Sequence, residues 1–178
     1  MKVLAISGSL RKDSYNRKLL QIAKKIASDT GAEVSEFDLK KTVLPVFDQD
    51  VEDAGMPESV EEFREAIEAS DVLLISSPEY NHSIPGGLKN AIDWASRDGN
   101  SFSGKTAAIF GVSAGSHGTA RMQPHLRQVL AALGVKILPQ PQILLGPASK
   151  KFNSDGTFAD EKTAERLKVL VEKTLASA

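Results

Sequence analysis

Apolar residues follow two rhythms along this chain. Residues 3–6 (Val-Leu-Ala-Ile), 72–75 (Val-Leu-Leu-Ile) and 107–110 (Ala-Ala-Ile-Phe) are unbroken apolar runs. Strands covered on both faces require such runs. Glu33-Val34-Ser35-Glu36-Phe37 and Val135-Lys136-Ile137-Leu138 are strand-like but interrupted by polar residues, as befits partly covered sheet edges. Between these runs the apolar positions recur at i, i+3, i+4 and i+7. Leu19, Ile22, Ala23 and Ile26 form one such stripe, Leu88, Ala91, Ile92 and Ala95 a second, and Leu126, Val129, Leu130 and Leu133 a third. Val60, Phe63 and Ile67 mark a further helix, and Leu167, Leu170 and Val171 a last one. Each stripe has the period of an amphipathic helix.

The predicted order is therefore β-α-β-α-β-α-β-α-β-α. It predicts a three-layer α/β sandwich: a five-stranded parallel sheet with helices on both faces. Right-handed crossovers, with the two interrupted strands at the edges, give the flavodoxin-like order 2-1-3-4-5. No repeat, low-complexity tract or linker divides the 178 residues, so residues 1–178 read as a single domain. In such a sheet the ligand lies beyond the carboxyl ends of the strands, where strands one and three diverge. The loops after Ile6, Ile75 and Val112 are the ones to inspect.

The first loop, Ser7-Gly8-Ser9-Leu10-Arg11-Lys12-Asp13-Ser14-Tyr15-Asn16, carries hydroxyl, amide and guanidinium donors into a helix start. Free N–H groups at a helix N-terminus, with a bidentate Arg11, suit an anion. Residues 11–25 hold six basic side chains against one acid, Asp13. That bias favours a phosphate, although a capped helix with a solvated basic face has the same composition. The spacing is neither a Walker A motif nor G-x-G-x-x-G, which disfavours a nucleoside triphosphate or a Rossmann-bound dinucleotide.

The second loop is Ser76-Ser77-Pro78-Glu79-Tyr80-Asn81-His82-Ser83-Ile84-Pro85-Gly86-Gly87. Two prolines restrict it and two glycines allow close backbone approach. It can present backbone groups to a planar ring on which Tyr80 stacks, or be a structural turn with Tyr80 as a surface aromatic. Trp94 falls off the apolar stripe of the following helix, and a subunit contact would explain it. The third loop, Gly111-Val112-Ser113-Ala114-Gly115-Ser116-His117-Gly118, leaves room for a flat ligand. It also matches G-x-S-x-G, but a hydrolase of that type needs an acid and then a histidine after the serine. His125, the last histidine, precedes both Asp155 and Asp160, so the order fails.

Composition removes other classes. There is no cysteine, hence no disulfide, thiolate metal site or cysteine nucleophile. Twenty-two basic and 23 acidic residues give a net charge of −1, too balanced for a general nucleic-acid binder. No apolar run approaches the ~18–20 residues of a membrane span. The first residues lack the apolar stretch of a signal peptide, so a soluble cytoplasmic protein is expected. The acidic stretch 48–53 misses the glycine and glutamate of a calcium loop and reads as a solvated loop. His82, His117 and His125 lack metal-ligand spacing, and no metal is expected.

Together the loops resemble the NAD(P)H-dependent FMN reductase family, flavodoxin-like quinone reductases of which some are known as chromate or azo reductases. Two stretches carry the resemblance. One is Gly8-Ser9-Leu10-Arg11-Lys12-Asp13-Ser14-Tyr15-Asn16. The other runs from Pro78-Glu79-Tyr80-Asn81 through Pro85-Gly86-Gly87-Leu88-Lys89-Asn90 to Ala91-Ile92-Asp93-Trp94. The resemblance implies non-covalent FMN, with its phosphate held by Ser9, Arg11, Ser14 and Asn16, and Tyr15 in the same motif. The ring would lie along Pro78, Glu79, Tyr80 and Asn81, with Ser113, Ala114 and Gly115 closing the other side. It further implies NAD(P)H as cosubstrate and quinone-like acceptors at the same flavin face, hence ping-pong kinetics. Homodimers or homotetramers are usual in the family. Because the flavin carries the chemistry, no protein acid, base or nucleophile is expected. Two other functions fit the same residues. One is an FMN-binding electron carrier, although such carriers tend to be strongly acidic. The other is a flavin reductase that releases reduced FMN to a partner monooxygenase.

Overall fold

The computed structural model describes residues 1–178. Its strands are β1 (Lys2–Ser7), β2 (Glu33–Phe37), β3 (Val72–Ser76), β4 (Thr106–Val112), β5 (Lys136–Ile137) and β6 (Ile143–Leu145). The helices are α1 (Tyr15–Asp29), α2 (Gln49–Asp53), α3 (Glu58–Glu68), α4 (Gly86–Ala95), α5 (Met122–Ala132) and α6 (Glu161–Leu175), with a 3-10 turn at Ala148–Lys150. All strand pairings are parallel, in the order β2-β1-β3-β4-β5, with β6 also on β4. This is the flavodoxin-like order expected from the sequence.

Alternation along the central strands explains why their apolar runs are unbroken. Val3, Ala5, Val72, Leu74, Ala108 and Phe110 point to the face covered by α1 and α6. Leu4, Ile6, Leu73, Ile75, Ala107 and Ile109 point to the face covered by α3, α4 and α5. Side chains alternate with period two, so a polar residue anywhere in these runs would be buried. Each fully buried leucine or isoleucine contributes about 1.5–3 kcal/mol.

Three elements differ from the expectation. The fifth strand is broken: β5 pairs only with Thr106 and Ala107, and β6 resumes against Phe110, Gly111 and Val112. Pro139 and Pro141 lie between them, and a proline cannot donate to the ladder. The acidic stretch 48–53 is the short helix α2, capped by the Asp48 carboxylate, with Glu52 paired to Arg97 at 3.0 Å. Trp94 is fully buried within the protomer. Its indole N–H donates to the Pro45 carbonyl at 2.8 Å, and Phe47 packs edge-on at 4.9 Å. The apolar second side of α4 is thus covered by residues 45–47 of the same chain, and Trp94 gives no indication of a subunit contact.

Pro124 is the third residue of α5, inside the first turn, where a missing N–H costs no helical bond. The segment after Gly146, which carries no motif, packs α6 onto α1. Phe152 stacks on Tyr15 at 5.5 Å and on Phe158 at 5.4 Å.

Candidate active site

The three loops meet at the carboxyl edge of the sheet around a cleft of about 230 Å³. Ser9, Arg11, Ser14, Tyr15 and Asn16 line it from the first loop, Pro78, Glu79 and Tyr80 from the second, and Ser113 and Ala114 from the third. Asn81 and Gly115 stand outside this lining. Val112 and Ala148 line it without having been singled out in the sequence. A larger open groove of about 510 Å³ lies between α1 and α6. Ile22, Phe158 and Ala164 line it beside polar side chains.

The first loop is built for an anion. The Ser14 hydroxyl caps α1, accepting from the Asn16 N–H at 3.1 Å, and its own O–H remains free to donate. From Leu10 through Tyr15 no backbone N–H has an acceptor within the chain. The Ser9 hydroxyl likewise makes no hydrogen bond within the chain. Arg11 donates to the Asp13 carbonyl at 2.7 Å, which folds its guanidinium back over the loop. No acidic residue occupies the first turn of the 15-residue α1, so the positive end of its dipole is unopposed.

The second loop ends in a tight hairpin. Tyr80 and Ser83 exchange both backbone hydrogen bonds, at 3.1 and 3.0 Å, with Asn81 and His82 at φ of 48° and 64°. Such a turn needs positive φ at both central positions. Tyr80 is half exposed on the open side. The Glu79 carboxylate is turned away: it accepts the N–H groups of Arg121 at 2.8 Å and Met122 at 2.9 Å, capping α5. Burial pushes its pKa up, but those two bonds and the nearby charges of Arg121 and His82 outweigh this and hold it below the usual carboxylate range. With Oε2 taking both bonds and Oε1 lying 3.7 Å from the Arg121 guanidinium, the Glu79 side chain is committed to the start of α5. The Ser83 hydroxyl and His125 Nδ1 are 3.1 Å apart, a second tie between this loop and α5.

The third loop is fixed from below. The Ser113 N–H donates to the Leu145 carbonyl at 3.0 Å, and its carbonyl accepts from the Ala148 N–H at 2.9 Å. A side chain at Gly111 would lie 2.1 Å from the Ser77 carbonyl, and one at Gly146 would lie 2.2 Å from the Gly115 carbonyl. Only glycine allows these contacts between loops. The N–H groups of Ala114, Gly115 and Ser116 have no acceptor in the chain. Ala148 escapes sequence reading because its place depends on β6, whose register is invisible until the broken fifth strand is known.

Residues 1–150 match the family model described as NADPH-dependent FMN reductase. The chain belongs to the NADPH-dependent FMN reductase family. Among curated relatives of this FMN reductase family, the chain is 48% identical over 166 residues to an NAD(P)H-dependent FMN reductase of Pseudomonas aeruginosa, covering 93% of this chain and 88% of that one. It is 45% identical over 177 residues to an NAD(P)H:quinone oxidoreductase of Solanum tuberosum, covering 96% and 89%. Among solved structures it is similar to the flavoenzyme NAD(P)H:(acceptor) oxidoreductase FerB of Paracoccus denitrificans. That match has a TM-score of 0.86 and 38% identity, covering 98% of this chain and 95% of that one.

Proposed function

We propose that this protein binds FMN in the loop cleft and works as an NAD(P)H-dependent quinone reductase. One observation carries the reading. A run of unpartnered backbone N–H groups from Leu10 to Tyr15 meets Arg11 and two free hydroxyl donors at the start of a long helix. That donor set fits a dianionic phosphate, which no neutral ligand would require. Ser9, Arg11 and Ser14 hold the phosphate. Pro78, the Glu79 backbone, Tyr80 and Asn81 border the ring, and Ser113, Ala114 and Gly115 close its far edge. The bound flavin supplies two-electron chemistry, accepting hydride equivalents from NAD(P)H and passing electrons to a quinone. The free N–H groups of Ala114, Gly115 and Ser116 are fixed donors for negative charge at the edge of the ring, in place before reaction. No side chain needs to act as acid, base or nucleophile.

Tyr80 marks the open approach, so cosubstrate and acceptor use one face in turn, and initial-rate plots should be parallel. The cytoplasm, where NAD(P)H is available, is the compartment this activity needs. Self-association as a dimer or tetramer is supported by exposed Val43, Val46, Leu10 and Tyr80 on and beside the segments that flank α4. The deciding experiment is purification followed by exhaustive dialysis, then NAD(P)H oxidation with a quinone and no added reductase. Retained yellow colour with quinone turnover supports the reductase. Colour without turnover would make the protein a carrier, and loss of the pigment with free-FMN reduction would make it a flavin supplier.

A further inference from the structure

We propose that Asn16 is a positioning residue that sets the third loop against α1, and not a phosphate ligand; this rests on the FMN reading above. Asn16 is the second residue of α1 and is 3% exposed. Its Oδ1 accepts from the Val112 N–H at 3.0 Å and from the Ser76 hydroxyl at 3.2 Å. Its Nδ2 donates to the Val112 carbonyl at 2.8 Å. One carboxamide thus satisfies both backbone groups of Val112, the last residue of β4.

The sheet makes this necessary. Phe110 and Val112 present their backbone groups to the β3 side, because the next bonds from Gly111 and Ser113 go to β6. The Ser77 N–H makes the last bond from that side, to the Phe110 carbonyl at 3.0 Å. Beyond it the chain turns into Pro78, which has no N–H. Val112 would face that gap with a buried donor and acceptor unpaired, which costs about 1–3 kcal/mol per group. Asn16 stands in for the missing strand. An amide has two acceptor lone pairs and two N–H groups. Both lone pairs and one N–H are in use here, so at most one N–H remains for any ligand. The pin acts two residues before the free amides begin at Ala114, and it ties them to the same helix start that would hold the phosphate.

The test compares FMN with riboflavin, which has the ring but no phosphate. In Asn16→Ala, the dissociation constants of both flavins should rise together, by about tenfold. In Arg11→Ala only FMN should weaken, so that the preference for FMN collapses. The reduction potential of flavin bound to Asn16→Ala should become more negative, since the donors at the ring edge have shifted. Ser76→Ala, a milder change outside the cleft lining, should weaken both flavins in equal and smaller proportion. Amide exchange needs no flavin: the Val112 N–H should lose protection in Asn16→Ala while the Gly8 N–H, bonded to the Ser76 carbonyl at 2.8 Å, keeps it. Loss of FMN affinity with riboflavin unaffected would make Asn16 a phosphate ligand and overturn the proposal. Unchanged affinities, or unchanged Val112 exchange, would overturn it too. A wild-type protein that binds neither flavin would defeat the FMN reading instead, and the exchange result would still judge the pin.

Discussion

Gly111→Ala probes the contact between the second and third loops. Gly111 lies inside β4, and an added Cβ would stand 2.1 Å from the Ser77 carbonyl oxygen and 2.9 Å from Thr119 Cγ2. Ordinary carbon–oxygen contact needs roughly 3.3–3.6 Å, so more than ~1 Å must open. The Thr119 methyl can rotate, but the Ser77 carbonyl is backbone. Its own N–H is held by Phe110, and Pro78 follows at once. The second loop must therefore move bodily. Overpacking of this kind costs about 1–3 kcal/mol, and a backbone neighbour puts the change at the upper end. For a chain of this size each kcal/mol lowers Tm by about 2–4 °C, so a fall of roughly 6–12 °C is expected by thermal shift. FMN affinity, read by quenching of flavin fluorescence, should fall as well, because Pro78 to Asn81 follow the displaced carbonyl. Gly86→Ala is the control: it opens α4, has nothing within 4 Å of the added carbon, and adopts no left-handed φ. It should be neutral or stabilise by up to about 1 kcal/mol. A Gly111→Ala protein with wild-type Tm and FMN affinity would refute the account of how these loops are held together.

Arg11→Ala should weaken FMN retention on dialysis by more than it lowers turnover at saturating FMN, measured as residual absorbance near the flavin band against rate. Glu79→Gln should lower stability by about 1 kcal/mol in urea unfolding, since the α5 cap loses its charge but keeps an acceptor. The same variant tests pH dependence. The folded-state pKa of Glu79 is depressed, so its contribution is complete above the unfolded value near ~4.3 and is lost as pH falls through the lower folded value. Between about pH 5 and 3 the wild type should therefore lose more Tm than Glu79→Gln. Asp38 adds to the same acid limb. Its hydrogen-bonded pairing with Arg17, at 2.5 and 3.1 Å, outweighs burial and lowers its pKa. Trp94→Phe should cost about 1 kcal/mol through the lost bond to Pro45 and leave the association state unchanged by light scattering.

What could be read from the sequence was whatever a single local rule decides. The three unbroken runs at residues 3–6, 72–75 and 107–110 had to be central strands, because only a sheet covered on both faces tolerates them, and the strand order followed. Local composition misled where a distant partner decides. Trp94 looked like an outward apolar residue because the residues that cover it, Pro45 and Phe47, lie about fifty positions upstream in a segment with no periodicity. Residues 48–53 are solvated as read, but they form the short helix α2 and not a loop, with Glu52 paired to Arg97 from just past the end of α4. The fifth strand reads as residues 135–138 alone, which misses the apolar triplet 143–145, beyond two prolines, as the segment that rejoins the same edge.

The site itself divides along the same line. Residues that face the cleft through backbone or hydroxyl groups, such as Ser9, Ser113 and Ala114, come from loops that the topology brings to one rim, so the topology located the loops and the family resemblance singled out the residues. Asn16 and Glu79 belong to the same motifs, yet their side chains point into the protein. Asn16 bonds to Val112, 96 residues away, and Glu79 caps a helix 42 residues on. A motif specifies residue type, and an amide or carboxylate serves equally well as a ligand or as a tie between loops. What separates the two uses is whether its lone pairs are already filled, and that depends on where β3 leaves the sheet and where α5 begins. A loop motif of this kind therefore contains two populations: donors offered to the ligand, and cross-links that hold those donors at fixed separation. Substituting the second kind should change the affinity of every flavin, with or without a phosphate, whereas substituting the first should change only the part of the ligand it touches.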